Sequence, residues 1–251
     1  MKIAITGCNG AIGRRAVLWA LKEGHTVVGA DNIVAQDAEF YNNPAFSFHQ
    51  VDLKDFDAAL KAFEGCDAVI QLAALLQPMD YLVKVHNDNV VIAWNVLRAA
   101  AELGIDRVAV ASSVNVLRAV IGETQADTIV RRYPTMRVAS MRIHKFISTR
   151  TRAYGEDRFS SRGDLWSYVQ MDSTADALLR AVTVEKDRWT GHEAFFIVAP
   201  QLAVDDDWLE LKAKYFPDTP VKPDWVESGG RGFFDCSKAE RLLGWVHKDY
   251  A

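Results

Sequence analysis

The chain has 251 residues, 49% of them hydrophobic and 25% charged, and a formal net charge of -4. This is enough ordinary globular sequence for a large core, and it suits one α/β domain with a small appendage rather than two full domains. The acidic balance excludes a nucleic-acid footprint, and three separated cysteines, Cys8, Cys66 and Cys236, exclude a disulfide framework or a paired-cysteine metal site.

The first element is a short apolar strand, Ile3–Thr6, that breaks into Gly7-Cys8-Asn9-Gly10-Ala11-Ile12-Gly13 and runs into a helix over Ala11–Lys22. Three glycines spaced three apart suit a dinucleotide. The first lets the chain turn out of the strand, the second lets the main chain approach a pyrophosphate, and the third lets helix pack closely on strand. The phosphates then meet free helix N–H groups. An ordinary tight turn is the competing reading, and the flanking strand and helix count against it. A second strand, Thr26–Ala30, ends at Asp31, where a carboxylate accepts from the adenosine ribose hydroxyls and repels a 2′-phosphate, so NAD is expected over NADP. With the first strand beginning at Lys2 and no apolar run long enough to cross a bilayer, a cytoplasmic protein without a leader is expected, with no membrane partner.

The third strand, Phe46–Val51, leads into Asp52-Leu53. Asp52 could meet the adenine amino group or serve the helix start at Asp55. A helix over Phe56–Phe63 follows, then a fourth strand, Ala68–Leu72, ending in Leu72-Ala73-Ala74. Residues this small pass a cofactor backbone or let a helix pack. A long helix is predicted over Tyr81–Leu103, a fifth strand over Arg107–Ala111, a helical stretch over Ala119–Arg131 and a sixth strand over Arg137–Ile143. Arg142, at the end of that strand, could clamp a substrate carboxylate or sit on the surface. His144 reads as a pocket wall.

Residues 148–163 are basic without helical period, a solvated loop or an anion-binding lid. Asp172 and Asp176, in a helix over Met171–Val182, read as an N-terminal charge and a packing acid. A seventh strand, Ala194–Val198, and short helices within Asp205–Phe216 and Ser237–Leu243 complete the chain. Six histidines share no metal-binding spacing, so no metal is expected. The alternation of strand and helix predicts a Rossmann-like, doubly wound parallel α/β sheet. Residues 1–251 then form a single domain, with 145–171 and 200–251 contributing a small substrate-binding lobe.

Several motifs together carry a family resemblance. They are Thr6-Gly7-x-x-Gly10-x-x-Gly13, Asp31, Val51-Asp52-Leu53, Leu72-Ala73-Ala74, Asn89-Val90 with Asn95-Val96-Leu97, Ala111-Ser112-Ser113, and Phe234-Asp235-x-Ser237-Lys238-Ala239 closing in Leu242-Leu243-Gly244-Trp245. The chain resembles the extended short-chain dehydrogenase/reductases, in their NAD-dependent epimerase/dehydratase branch, and is similar to the short sugar dehydrogenases of the uronate type. The resemblance implies an NAD cofactor and a sugar or sugar-acid ligand held by the C-terminal part. It also implies a homodimer that pairs the two long helices. For the cofactor it implies Gly7, Asn9, Gly10, Ala11, Ile12, Gly13, Asp31, Asn32, Asp52, Leu53, Leu72, Ala73, Ala74 and Asn89. It implies Ser113 for catalysis and Arg142 and His144 for the substrate.

One departure is decisive. The family places Tyr-x-x-x-Lys at the start of the helix after the fifth strand. If Glu123 matches the family's glutamate four residues past that lysine, Asn115 and Ala119 occupy the two positions. None of the tyrosines at 41, 81, 133, 154, 168, 215 and 250 has a lysine four residues on. Tyr133 and Tyr154 have Arg137 and Arg158 at that spacing, pairs that read as structural. Asn115 cannot accept and return a proton, and Ala119 supplies no charge to lower a phenol's pKa. Ser113 could still polarise a carbonyl. The expectation is an NAD-binding member with lost or much reduced catalysis. The alternatives are a non-catalytic NAD(H) sensor, or a shortened inactive product of an active enzyme's coding sequence.

Overall fold

The computed structural model describes residues 1–35, 38–75, 81–114, 116–150 and 160–250, apart from the side chains at 81–82, 116–119 and 160–161. Seven strands form one sheet: β1 (Lys2–Thr6), β2 (Thr26–Asp31), β3 (Phe46–Gln50), β4 (Ala68–Gln71), β5 (Arg107–Ser113), β6 (Arg137–Ile143) and, later in the chain, β9 (Gly191–Ile197). Their order is β3-β2-β1-β4-β5-β6-β9, and every pair is parallel. Parallel neighbours need crossovers, which are supplied by α1 (Ala11–Lys22), α2 (Phe56–Phe63), α3 (His86–Glu102), α4 (Val116–Arg132) and α5 (Met171–Thr183). This is the doubly wound α/β sheet that the alternation of elements predicts.

The inner strands are buried on both faces, so their side chains divide between two cores. Ile3 and Ile5 of β1 pack with Val17 of α1, Leu178 of α5 and Trp245 on one face. Ala4 packs with Phe63 of α2, Val96 and Leu97 of α3 and Ile129 of α4 on the other. Each fully buried Ile, Leu or Phe contributes about 1.5–3 kcal/mol relative to exposure. A short parallel ribbon of β7 (Phe146–Ile147) and β8 (Val169–Gln170) lies beside the sheet's end. Beyond it, Trp166 gathers Leu202, Trp208 and Leu211 into a separate apolar cluster with Phe216 and Phe233. Two short helices, α6 (Trp208–Tyr215) and α7 (Ser237–Leu243), belong to this last part of the chain.

Small differences from the sequence reading have physical causes. β9 starts at Gly191, three residues before the apolar run, because Gly191, His192 and Glu193 continue the register against Arg137, Val138 and Ala139. β5 runs on to Ser113 for the same reason, pairing with β6 as far as Ile143. The long helix opens with a wide turn over Tyr81–Val85 before α3 proper. Among the described residues, no helix is long and apolar enough to cross a membrane.

Candidate functional site

In an open parallel sheet, ligands bind at the carboxyl ends of the strands where the strand order reverses. Here that point lies between β1, whose outer neighbour is β2, and β4. The loops that meet there are held by Thr6, whose Oγ1 accepts the N–H groups of Leu72 and Ala73, both at 3.1 Å. Gly7 follows with φ of +64°, and a Cβ there would lie 2.8 Å from Ala73 N. At Gly13 a Cβ would fall 2.0 Å from the Gly7 carbonyl oxygen, so α1 packs directly on the turn. Gly10 is different, because its Cβ would meet only Gly7 O, at 3.3 Å. As N-cap of α1 it offers no side-chain hydrogen bond, and the first turn holds no acid, so the helix presents main-chain N–H groups at the end favourable to anions. Ala11 is exposed there and Ile12 half-buried.

Asp31, at the end of β2, organises the same corner. Its Oδ2 accepts the N–H of Asn9 at 3.0 Å, and its Oδ1 that of Ile33 at 3.1 Å. Asn9 in turn donates from Nδ2 to the Ile33 carbonyl and to Tyr41 Oη. Cys8 is sealed beneath, and burial first, then the Asp31 charge, push its thiol up to about 12. Asn32 is exposed at this rim, and its carbonyl accepts from Gln50 Nε2 at 3.2 Å.

The neighbouring loops carry the remaining positions. Asp52 is more than half exposed, and its Oδ1 accepts the N–H of Lys54, while Asp55 is the residue that caps α2. Leu53 is buried, and its carbonyl accepts Nδ2 of Asn95 at 3.0 Å. Asn89 bonds outside its helix: Oδ1 accepts the N–H of Leu75 at 2.7 Å and Nδ2 donates to the same residue's carbonyl at 3.1 Å. That two-point contact joins α3 to the loop containing Leu72, Ala73 and Ala74.

Ser113 closes β5, paired in register with Ile143. Arg142 does not point free into the cleft. Its guanidinium forms a two-pronged pair with Glu123 of α4, at 2.8 and 2.7 Å, and Ser112 Oγ donates to the same carboxylate at 2.9 Å. Burial raises the Glu123 carboxyl, but the bonds from Arg142 and Ser112 outweigh it and the net shift is downward. His144 is buried against Phe234, and its Nδ1 accepts the N–H of Lys145. Burial brings its imidazole down to about 4, so it is neutral near pH 7 and gives a polar, uncharged wall. Asp172 lies in the first turn of α5, and Asp176 pairs with Arg180 one turn on.

Asn115 lies outside the described residues, as do Arg152, Tyr154 and Arg158 of the basic segment, and for Ala119 only the helical backbone is described. Arg150 of that segment is bound to the carbonyls of Leu202 and Val204 and to Asp205. Three features of the site escaped sequence reasoning: the Thr6 clasp, the Tyr41 contact and the Arg142–Glu123 pair. A threonine just before the first glycine was a readable signal for the first. The others join residues far apart in sequence and left no local pattern.

Residues 3–157 match the model of the NAD dependent epimerase/dehydratase family. Over 119 residues the chain is 34% identical to GDP-mannose 3,5-epimerase 1 of Oryza sativa subsp. japonica, covering 45% of this chain and 31% of that protein. It is 35% identical over 115 residues to the L-arabinose 1-dehydrogenase (NAD(P)(+)) of Haloferax volcanii, covering 46% and 42%. The match thus spans less than half the length of these curated relatives. The UDP-Glc/GlcNAc 4-epimerase from Campylobacter jejuni superposes with a TM-score of 0.74 at 18% identity, over 98% of this chain and 94% of that one. Uronate dehydrogenase from Agrobacterium tumefaciens, complexed with NAD, superposes with a TM-score of 0.69 at 17% identity, over 99% and 84%. At these identities the two structures show a shared fold.

Proposed function

Because this chain belongs to the NAD-dependent epimerase/dehydratase family, we propose that it binds NAD above β1 and β4 and that its own hydride transfer is lost or much reduced. The observation that carries the first part is the glycine cradle, where a side chain at Gly7 or Gly13 would strike main-chain atoms. NAD, when bound, supplies the nicotinamide that takes and returns a hydride. The main-chain N–H groups at the start of α1, from Ala11 to Gly13, hold the pyrophosphate. Each Asp31 oxygen accepts one main-chain N–H and keeps a lone pair for a ribose hydroxyl. Its charge repels a 2′-phosphate. Asn9, Ala11, Ile12, Asn32, Asp52 and Leu53 border the adenosine end. Leu72, Ala73 and Ala74 flank the path toward the nicotinamide, in a loop that Asn89 holds.

The relatives' names support a sugar, sugar acid or nucleotide sugar as the second ligand. We assign its binding to residues 145–171 and 200–251, with His144 as a neutral wall. Ser113 polarises a carbonyl there. Arg142 contributes only by sharing its guanidinium with Glu123.

The second part rests on the sequence, which has no tyrosine four residues before a lysine. Loss of a positioned acid/base group costs about 10²–10⁴-fold in rate, and groups that act as a unit fail together. An intact cradle without that pair also suits a protein that responds to NAD(H) without turning over. The test is a titration of the purified chain with NADH, read by energy transfer from its tryptophans, with NADPH as control. Saturable binding that favours NADH is expected, without turnover of sugar acids. Failure to bind in a folded protein overturns the cofactor reading, and turnover at ordinary enzyme rates overturns the catalytic one.

A homodimer is part of the same proposal. Val91 on α3 and Val120 and Ile121 on α4 are exposed apolar side chains on two adjoining helices. Sedimentation equilibrium should give twice the chain mass, and a monomer would remove the dimer.

A further inference from the structure

We propose that Tyr41 is a positioning residue for the adenosine end of the cofactor site, holding Asn9 and, through it, the Asp31 carboxylate; the role rests on the NAD reading above. Tyr41 lies in a single helical turn, Glu39–Asn42, between β2 and β3, and is 32 residues from Asn9 in sequence. It stands outside the glycine motif.

The N–H, the carbonyl and the side-chain amide of Asn9 are all held. The N–H donates to Asp31 Oδ2 at 3.0 Å, the carbonyl accepts from Arg14 Nε at 3.0 Å, and Nδ2 donates to the Ile33 carbonyl. That carbonyl fixes which end of the amide is the nitrogen. Tyr41 Oη lies 3.1 Å from Nδ2, from which it accepts, and 3.2 Å from Oδ1, to which it donates. Asn9 sits between Gly7 and Gly10, and the Gly10 N–H closes the loop on the Gly7 carbonyl at 3.0 Å.

Asp31 depends on the same amide. Its Oδ2 is held by the Asn9 N–H and its Oδ1 by the Ile33 N–H at 3.1 Å, while Asn9 Nδ2 reaches the carbonyl of Ile33. The two residues that orient the carboxylate are thus joined to each other through one side chain, and Tyr41 holds that side chain. A carboxylate aimed at ribose hydroxyls needs such support, because slack in the groups behind it is paid in affinity.

The ring that carries the hydroxyl is itself fixed. It stacks on Phe40 with centroids 5.3 Å apart, meets Phe46 edge-on at 5.3 Å and tilts against Phe48 at 5.4 Å. Phe40 is buried, and Phe46 and Phe48 belong to β3. Those contacts suit a phenylalanine equally well, so the hydroxyl serves Asn9 and not the packing.

The experiment titrates NADH, with ADP-ribose as a competitor, into the parent, Tyr41→Phe, Asn9→Ala and the double variant, and follows urea unfolding of each. Tyr41→Phe should bind both ligands about two- to tenfold more weakly, the range for one hydrogen bond, with an unfolding midpoint close to the parent's. The double variant should bind no more weakly than Asn9→Ala, because the hydroxyl has nothing to hold once the amide is gone. Losses that multiply in the double variant would mean that Tyr41 does not act through Asn9 and would overturn the proposal. So would parent-like affinity in Tyr41→Phe, or a midpoint that falls in step with affinity, which would mean packing alone. A loss with NADH that ADP-ribose does not share would put the effect at the nicotinamide end and overturn it equally. A folded parent that binds neither ligand overturns the NAD reading itself, and this role with it.

Discussion

Arg142 and Glu123 face each other across the gap between β6 and α4, with Nε 2.8 Å from Oε1 and Nη2 2.7 Å from Oε2. The fork binds the sheet to the helix whose first residues border the carboxyl end of β5. Glu123 is the more buried partner, its side chain 14% exposed against 33% for Arg142. Removing the arginine therefore strands a carboxylate. Arg142→Ala should cost about 2 kcal/mol, below the figure for a fully buried pair because water reaches one side. Arg142→Lys should recover only part, since an ammonium cannot donate as a planar fork. Urea unfolding of the three proteins measures both differences.

The glycines separate folding from binding. Gly13→Ala places a methyl 2.0 Å from the Gly7 carbonyl and should destabilise the chain by about 2–3 kcal/mol as well as remove NADH binding. Gly10→Ala meets its nearest atom at 3.3 Å and should leave stability nearly unchanged. Its methyl stands where the main chain approaches the pyrophosphate, so affinity should fall about tenfold or more. Equal NADH affinity in Gly10→Ala and the parent would count against a phosphate site on this loop.

Installing a tyrosine and a lysine four residues apart at positions 115 and 119 tests the proposed loss of catalysis directly. The double variant Asn115→Tyr with Ala119→Lys should raise NAD-dependent oxidation of a sugar or sugar acid by about 10²-fold or more over the parent. Either single variant should do little, because an unassisted phenol is a poor base and a lone lysine has no phenol to act on. A parent that already turns over well, and is not improved, would show that another group carries the proton.

His144 sets a pH dependence. Its folded pKa, about 4, lies below the ordinary 6.5, so the unfolded chain binds the proton first as pH falls. Its contribution is complete above about pH 6.5 and is lost as pH drops toward 4, amounting to about 3 kcal/mol over that window. Burial also lowers His247 and His25, which act in the same direction. The slope belonging to His144 is therefore the difference between the parent and His144→Gln, measured by urea unfolding from pH 7 to 4.5. A variant as pH-sensitive as the parent would place the titration elsewhere.

The sheet and the glycine turn were legible because their determinants are local. Alternating apolar runs and helical periods mark Ile3–Thr6, Ala11–Lys22 and the elements after them, and three glycines at fixed spacing require one kind of turn. The proposed loss of the catalytic pair likewise rests on residue spacing alone. What joins distant segments was not legible. Thr6 reaching Leu72 and Ala73, Asn89 fastened to Leu75, and Arg142 paired with Glu123 each depend on where parallel strands and crossover helices come to rest. Sequence alone determined the Rossmann-like sheet and the glycine loop, because backbone sterics and burial act residue by residue. Only the tertiary structure decided which charges meet and which loops are fastened to which helices, because those depend on distances that the chain order does not contain.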